Sequence, residues 1–225
     1  LENNEATKNI NELGTTAVPQ KCAEIHCITI VGQVEGHQIL SEDTKTTKYE
    51  HILPMLAAIE ESAEIEALLI LLNTAGGDVE AGLGIAEMIA GMRKPTASLV
   101  LGGGHSIGVP MAVSAKKSFI APSAAMMLHP VRLTGVVIGA PQTYNYFTSI
   151  QERIINFITE HSSVKSEALL ELMMRTDELA NDVGSVITGR QAVELGIIDA
   201  LGNLGDVLEY LRAEIKKSNN NCCED

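Results

Sequence analysis

The sequence predicts an α/β protein whose strands lie parallel in one sheet. Short apolar runs of strand length alternate with amphipathic stretches of helical period, the pattern that parallel strands with right-handed crossovers leave in a chain. Two junctions where a strand hands over to a helix, residues 73–78 and 102–108, are rich in glycine. Of 225 residues, 45% are hydrophobic and 20% charged, a balance that supports a packed core and excludes disorder for the bulk of the chain.

Taken in order, residues 1–24 read as a mobile arm, because the polar stretch that opens them has no sustained period. Residues 25–31 read as a strand, and 48–61 as a helix bent or interrupted near Pro54. Residues 67–72 form a fully apolar run of strand length, followed by the turn 73–78 and a helix over 79–92. A strand over 96–101 leads through glycines to a helix over 106–115, and 117–120 and 125–128 read as further short strands. Residues 25–214 therefore read as one domain, and 215–225 as a polar tail.

Residues 141–161 are the most regular helical stretch. At 100° per residue, Tyr144, Tyr146, Phe147, Ile150, Ile154, Ile155, Phe157 and Ile158 fall within about half of the circumference. Two readings fit that stripe. The helix packs on its own domain, or it projects and buries the stripe against a partner subunit.

Composition excludes several functions. The formal net charge is −13, which opposes binding to a phosphate backbone, and seven aromatic residues leave little for stacking on bases. No run approaches the ~18 apolar residues of a membrane span, and the acidic start of the sequence does not read as a signal peptide. Cys22 and Cys27, with Cys222 and Cys223, lack paired zinc spacing and read as reduced thiols, which suggests a cytoplasmic protein. No metal or cofactor motif stands out, and the chain has no ATP-binding P-loop.

Three sites carry chemical promise. Gly104-His105-Ser106-Ile107-Gly108 follows a strand and fits G-x-S-x-G, in which small neighbours let a sharp turn present a serine hydroxyl. Backbone N–H groups behind such a turn are able to hold a developing oxyanion. Asn73-Thr74-Ala75-Gly76-Gly77-Asp78 offers paired glycines above the sheet, and His129 directly follows an apolar strand. An α/β-hydrolase reading fails on order, because that fold wants its histidine late and the last one here is His161.

Together these segments resemble the proteolytic subunit of the Clp protease, and within that family its translocation-enhancing branch of serine peptidases. NTAGGDVEAGLGIAEMI resembles the family's N-S-P-G-G-x-V-x-A-G-x-x-I-x-D-x-M segment, SAKKSFIAPSAAMMLHP its stretch through the histidine, and GRQAVELGIIDALG its closing segment. The resemblance implies a spiral of repeated ββα units with a projecting handle helix, the stretch 141–161. It implies Ser106 as nucleophile, His129 as general base, and Gly77 and Ile107 as oxyanion donors. It further implies stacked homo-oligomeric rings around a chamber, peptide or unfolded-protein substrates, and an ATP-dependent unfoldase as partner.

The acid of the triad departs from the pattern. Ungapped spacing from Gln191-Ala192 lands on Gly184, so a small insertion makes Asp182 the third member, with Asp177 in reserve. Ala75 stands where the family usually has proline, and Pro130-Val131 follows His129 where the family has Gln-Pro. Three other readings stay open: a crotonase-like acyl-CoA enzyme, a Ser-Lys peptidase using Lys116, Lys117 or Lys165, and a ring scaffold without a working acid.

Overall fold

A computed structural model describes residues 24–132, 139–177 and 183–221. The spine is a parallel ladder. Strands β1 (Ile25–Glu35), β3 (Ala67–Gly77), β4 (Thr96–Gly104) and β5 (Lys117–Ile120) lie side by side, with β2 (Thr46–Lys48) at one edge and β8 (Ala200–Leu201) at the other. A second, smaller sheet pairs β6 (Ala125–Leu128) antiparallel to β7 (Ser185–Thr188), and β6 touches β4 at Gly103↔Ala125.

Helices α1 (Tyr49–Glu61), α2 (Val79–Ala90), α3 (Gly108–Val113), α4 (Ala140–Glu160), α5 (Ser166–Met174) and α6 (Gly189–Glu194) surround these strands. A last helix, α7 (Leu204–Asn221), covers the opposite face of the main sheet. The continuous apolar run in β3 follows from this layering. Leu68, Ile70 and Leu72 face the main core, while Ala67 and Leu69 pack with Val207, Leu211 and Ile215 of α7.

The α/β class and parallel ladder match the expectation, and 117–120 and 125–128 are strands as read. The differences cluster at the glycines. β3 runs through the expected turn to Gly77, pairing Gly76 with Gln33 and Gly77 with Val34. β4 likewise runs to Gly104, which faces Thr74. α3 starts at Gly108 and not at Ser106, because Ser106 has φ 56° and is not helical. α1 continues through Pro54, and α7 runs to Asn221 with Ile215 buried.

Candidate active site

Ser106 sits where β4 ends and α3 has not begun. It is the single non-glycine residue with positive φ among the described residues, a conformation that costs about 1–2 kcal/mol. Backbone bonds on both sides hold it there. His105 N–H donates to the Thr74 carbonyl at 3.1 Å, Ser106 N–H to Met127 at 2.8 Å, and Val109 N–H to Ser106 at 3.0 Å. The nucleophile candidate is thereby tied to β3, β6 and its own helix at once.

The paired glycines close this cradle. Gly76 has φ +91°, and a Cβ on it would lie 2.7 Å from the Ser106 Cβ. No side chain fits between β3 and the serine, so the backbone of Gly76-Gly77 approaches it directly. Behind the turn, the Asp78 side chain accepts from Ala81 N–H at 2.9 Å and caps α2.

One cavity of about 120 Å³ brings the predicted groups together. Gly77, Ser106, Ile107 and His129 all line it. Its remaining wall is mainly apolar, with Val79, Val109 and Leu128 from the body and Ile154, Ile158 and Met173 from α4 and α5. Among its described lining residues, Arg132 is the one Lys, Arg, Asp or Glu. Nothing in the sequence flagged Arg132 or Met173 for this place, while Ile154 and Ile158 were visible only as part of the stripe.

His129 follows β6 and is half-buried. Its Nδ1 lies 2.7 Å from the carbonyl oxygen of the next residue, Pro130. The neighbouring peptide is anchored to α4, since Val131 N–H donates to Gln151 Oε1 at 2.8 Å. Gln151 was not singled out from sequence, being a polar residue beside the apolar stripe.

The acid side differs from the serine side. Gly184, where ungapped spacing lands, sits against the histidine with φ +133°. A Cβ there would lie 2.4 Å from the Leu128 carbonyl oxygen and 2.8 Å from the His129 Cβ. A side chain at 184 is therefore excluded by the backbone. Asp182 lies outside the described residues, and Asp177 is exposed and does not line the cavity.

Among the described residues, none of the other candidate bases lines the cavity. The Lys116 ammonium donates to the Arg93 carbonyl, Lys117 pairs with Asp199 at 3.7 Å, and Lys165 precedes α5; none lines the cavity. His105 is next to the serine, yet it too stays off the cavity wall, and burial holds its imidazole below the usual histidine range. Among the described residues no group of three or more His, Cys, Asp or Glu side chains is placed to hold a metal, and no helix is long and apolar enough to cross a membrane.

Comparison with known proteins gives this constellation a context. The sequence model of the Clp protease family matches residues 23–204. The chain is 54% identical over 211 residues to the translocation-enhancing protein TepA of Halalkalibacterium halodurans, covering 93% of this chain and 82% of that one. It is 23% identical over 202 residues to the ATP-dependent Clp protease proteolytic subunit 1 of Protochlamydia amoebophila, covering 86% and 92%. A match of 28% over 128 residues to the corresponding subunit of Leuconostoc citreum spans 56% of this chain and 58% of that one. With most of its length matched by the family, and with the strand-end serine and strand-end histidine in one cavity, the chain belongs to the Clp protease family.

Proposed function

We propose that the chain is a serine endopeptidase that hydrolyses small peptides or unfolded segments. The observation that carries this reading is the single cavity lined by Gly77, Ser106, Ile107 and His129, with the serine held in a strained turn at its edge. In the proposed reaction the Ser106 Oγ attacks the scissile carbonyl while His129 Nε2 takes its proton. The N–H groups of Gly77 and Ile107 hold the oxyanion, each contributing about 3 kcal/mol to the transition state. His129 then protonates the leaving amine. Water, deprotonated by the same imidazole, attacks the acyl-enzyme and releases the second product. Asp182 is the proposed acid that stabilises the imidazolium.

The apolar wall fixes a preference. A pocket of this size lined by Val79, Val109, Leu128, Ile154, Ile158 and Met173 suits one aliphatic side chain beside the cleaved bond. The exposed Tyr144 and Tyr146 on α4 support assembly into stacked homo-oligomeric rings, in which the cavities face a chamber. Entry of folded proteins into such a chamber requires an ATP-dependent unfoldase as partner, and the proposed place of work is the cytoplasm.

Fluorogenic peptides carrying Leu or Met beside the cleaved bond are expected to be hydrolysed faster than those with Asp or Lys there, and Ser106→Ala is expected to abolish cleavage. Equal rates for wild type and Ser106→Ala would defeat the reading. One specific observation favours a second reading, a ring scaffold with impaired catalysis: Gly184 occupies the place beside His129 and carries no carboxylate.

A further inference from the structure

A histidine base needs its Nε2 lone pair free, so its proton must sit on Nδ1. In serine triads the buried carboxylate secures that tautomer, and losing it costs about 10⁴ in rate. Here a backbone contact favours that tautomer. His129 Nδ1 lies 2.7 Å from the Pro130 carbonyl oxygen, which only accepts, so the contact is a hydrogen bond only when Nδ1 carries the proton.

That carbonyl belongs to the same planar peptide as the Val131 N–H. In a trans peptide the two groups point in opposite directions, so a bond that fixes one aims the other. Gln151 on α4 provides it: its Oε1 accepts from Val131 N–H at 2.8 Å. Its Nε2 donates toward the Met173 sulfur on α5 at 3.4 Å, which orients the amide with its oxygen toward the peptide. Proline adds stiffness, because its ring fixes φ of the residue whose carbonyl meets the imidazole.

We propose that Gln151 is a positioning residue for His129, setting the base tautomer through the Pro130–Val131 peptide. The inference deepens the peptidase reading and rests on it for its catalytic meaning. Gln151 touches no substrate in this scheme, and its contact with the peptide acts alongside the carboxylate proposed at Asp182. The chain thus couples the helix that walls the cavity to the protonation pattern of the base.

The test uses the full-length assembled protein labelled with ¹⁵N-histidine, with His129→Asn to assign the ring signals. Wild type and Gln151→Glu, which keeps an acceptor oxygen, are expected to show His129 protonated at Nδ1. Gln151→Leu, close in size but without an acceptor, is expected to show a tautomer mixture. Its fluorophosphonate labelling of Ser106 is expected to fall about 10- to 100-fold, a loss of the kind small misplacements cause, while Gln151→Glu stays near wild type. Thermal unfolding confirms that both variants are folded. Nδ1 protonation unchanged in folded Gln151→Leu, or Nε2 protonation in the wild type, would overturn the proposal. Absence of Ser106 labelling in the wild type defeats the peptidase reading separately, and the tautomer measurement then decides the Gln151 proposal alone.

Discussion

The two halves of α4 carry the same apolar stripe and meet different fates. In the C-terminal half Ile150, Ile154, Ile155, Phe157 and Ile158 are buried, and two of them wall the cavity beside Ser106. In the N-terminal half Tyr144 is 72% exposed and Tyr146 58%, the latter meeting Phe147 edge-on at 5.5 Å. Arg153 stands at the junction, its guanidinium bonded to both oxygens of Glu80 on α2 at 2.7 and 2.9 Å. Helical periodicity reports that a face is apolar; it does not report what covers it. The reading in which the helix packs on its own domain describes its C-terminal half, while the N-terminal half leaves Tyr144 and Tyr146 exposed.

Substitutions that separate the halves sharpen this contrast. Ile158→Ala, in the buried half, is expected to cost about 2–5 kcal/mol in denaturant unfolding, since it removes transfer energy and opens a cavity. It also widens the cavity, so on the proposed peptidase reading cleavage beside larger side chains is expected to rise relative to Leu. A cost below about 1 kcal/mol would show that this half is less tightly packed than its burial implies.

Arg153→Ala probes the junction and carries a smaller expected cost, at most about 1 kcal/mol, because both partners are substantially exposed. The Arg153 hydrogen bonds are the largest influence on the Glu80 carboxyl and hold it below the usual carboxylate range. A depressed acid contributes stability that is present above its unfolded pKa, about 4.3, and is lost as pH falls through the folded value. The stability difference between wild type and Arg153→Ala is thus expected to be full near neutrality and to vanish in acid. A difference that grows on acidification would refute this role for the pair.

The smallest effect on protomer stability is expected in the exposed half. Tyr144→Ala combined with Tyr146→Ala is expected to change it by less than about 0.5 kcal/mol. Sedimentation is where this variant should differ, shifting from an oligomer toward smaller species. An unchanged sedimentation profile would remove this half of α4 from the assembly interface.

Much of the fold was legible because its signals are local. The apolar run of β3, the short strands β5 and β6, and the α4 stripe all state their type within a few residues. The glycine stretches misled for a physical reason. Glycines in sequence read as turns, yet Gly76, Gly77 and Gly104 continue their ladders, and at Gly76 and Gly77 close neighbours leave no room for side chains. On the serine side, the strand–glycine–serine order marked the sharp turn that the structure shows at Ser106. On the histidine side, the structure surrounds His129 with a backbone carbonyl, a peptide held by a glutamine beside an apolar stripe, and a glycine. None has a sequence signature, since each acts through where the fold places its backbone or amide. Gly184 was visible only as an awkward count, and its contact with His129 gives that count a structural meaning.

The central claim is that Ser106 is an activated nucleophile. Incubating the folded, assembled protein with a fluorophosphonate and mapping the adduct by mass spectrometry tests it most directly. The expected result is modification of Ser106, absent in Ser106→Ala and slowed about 10²- to 10⁴-fold in His129→Ala. An assembled wild-type protein whose Ser106 takes no adduct, or takes it equally fast without His129, would contradict the claim.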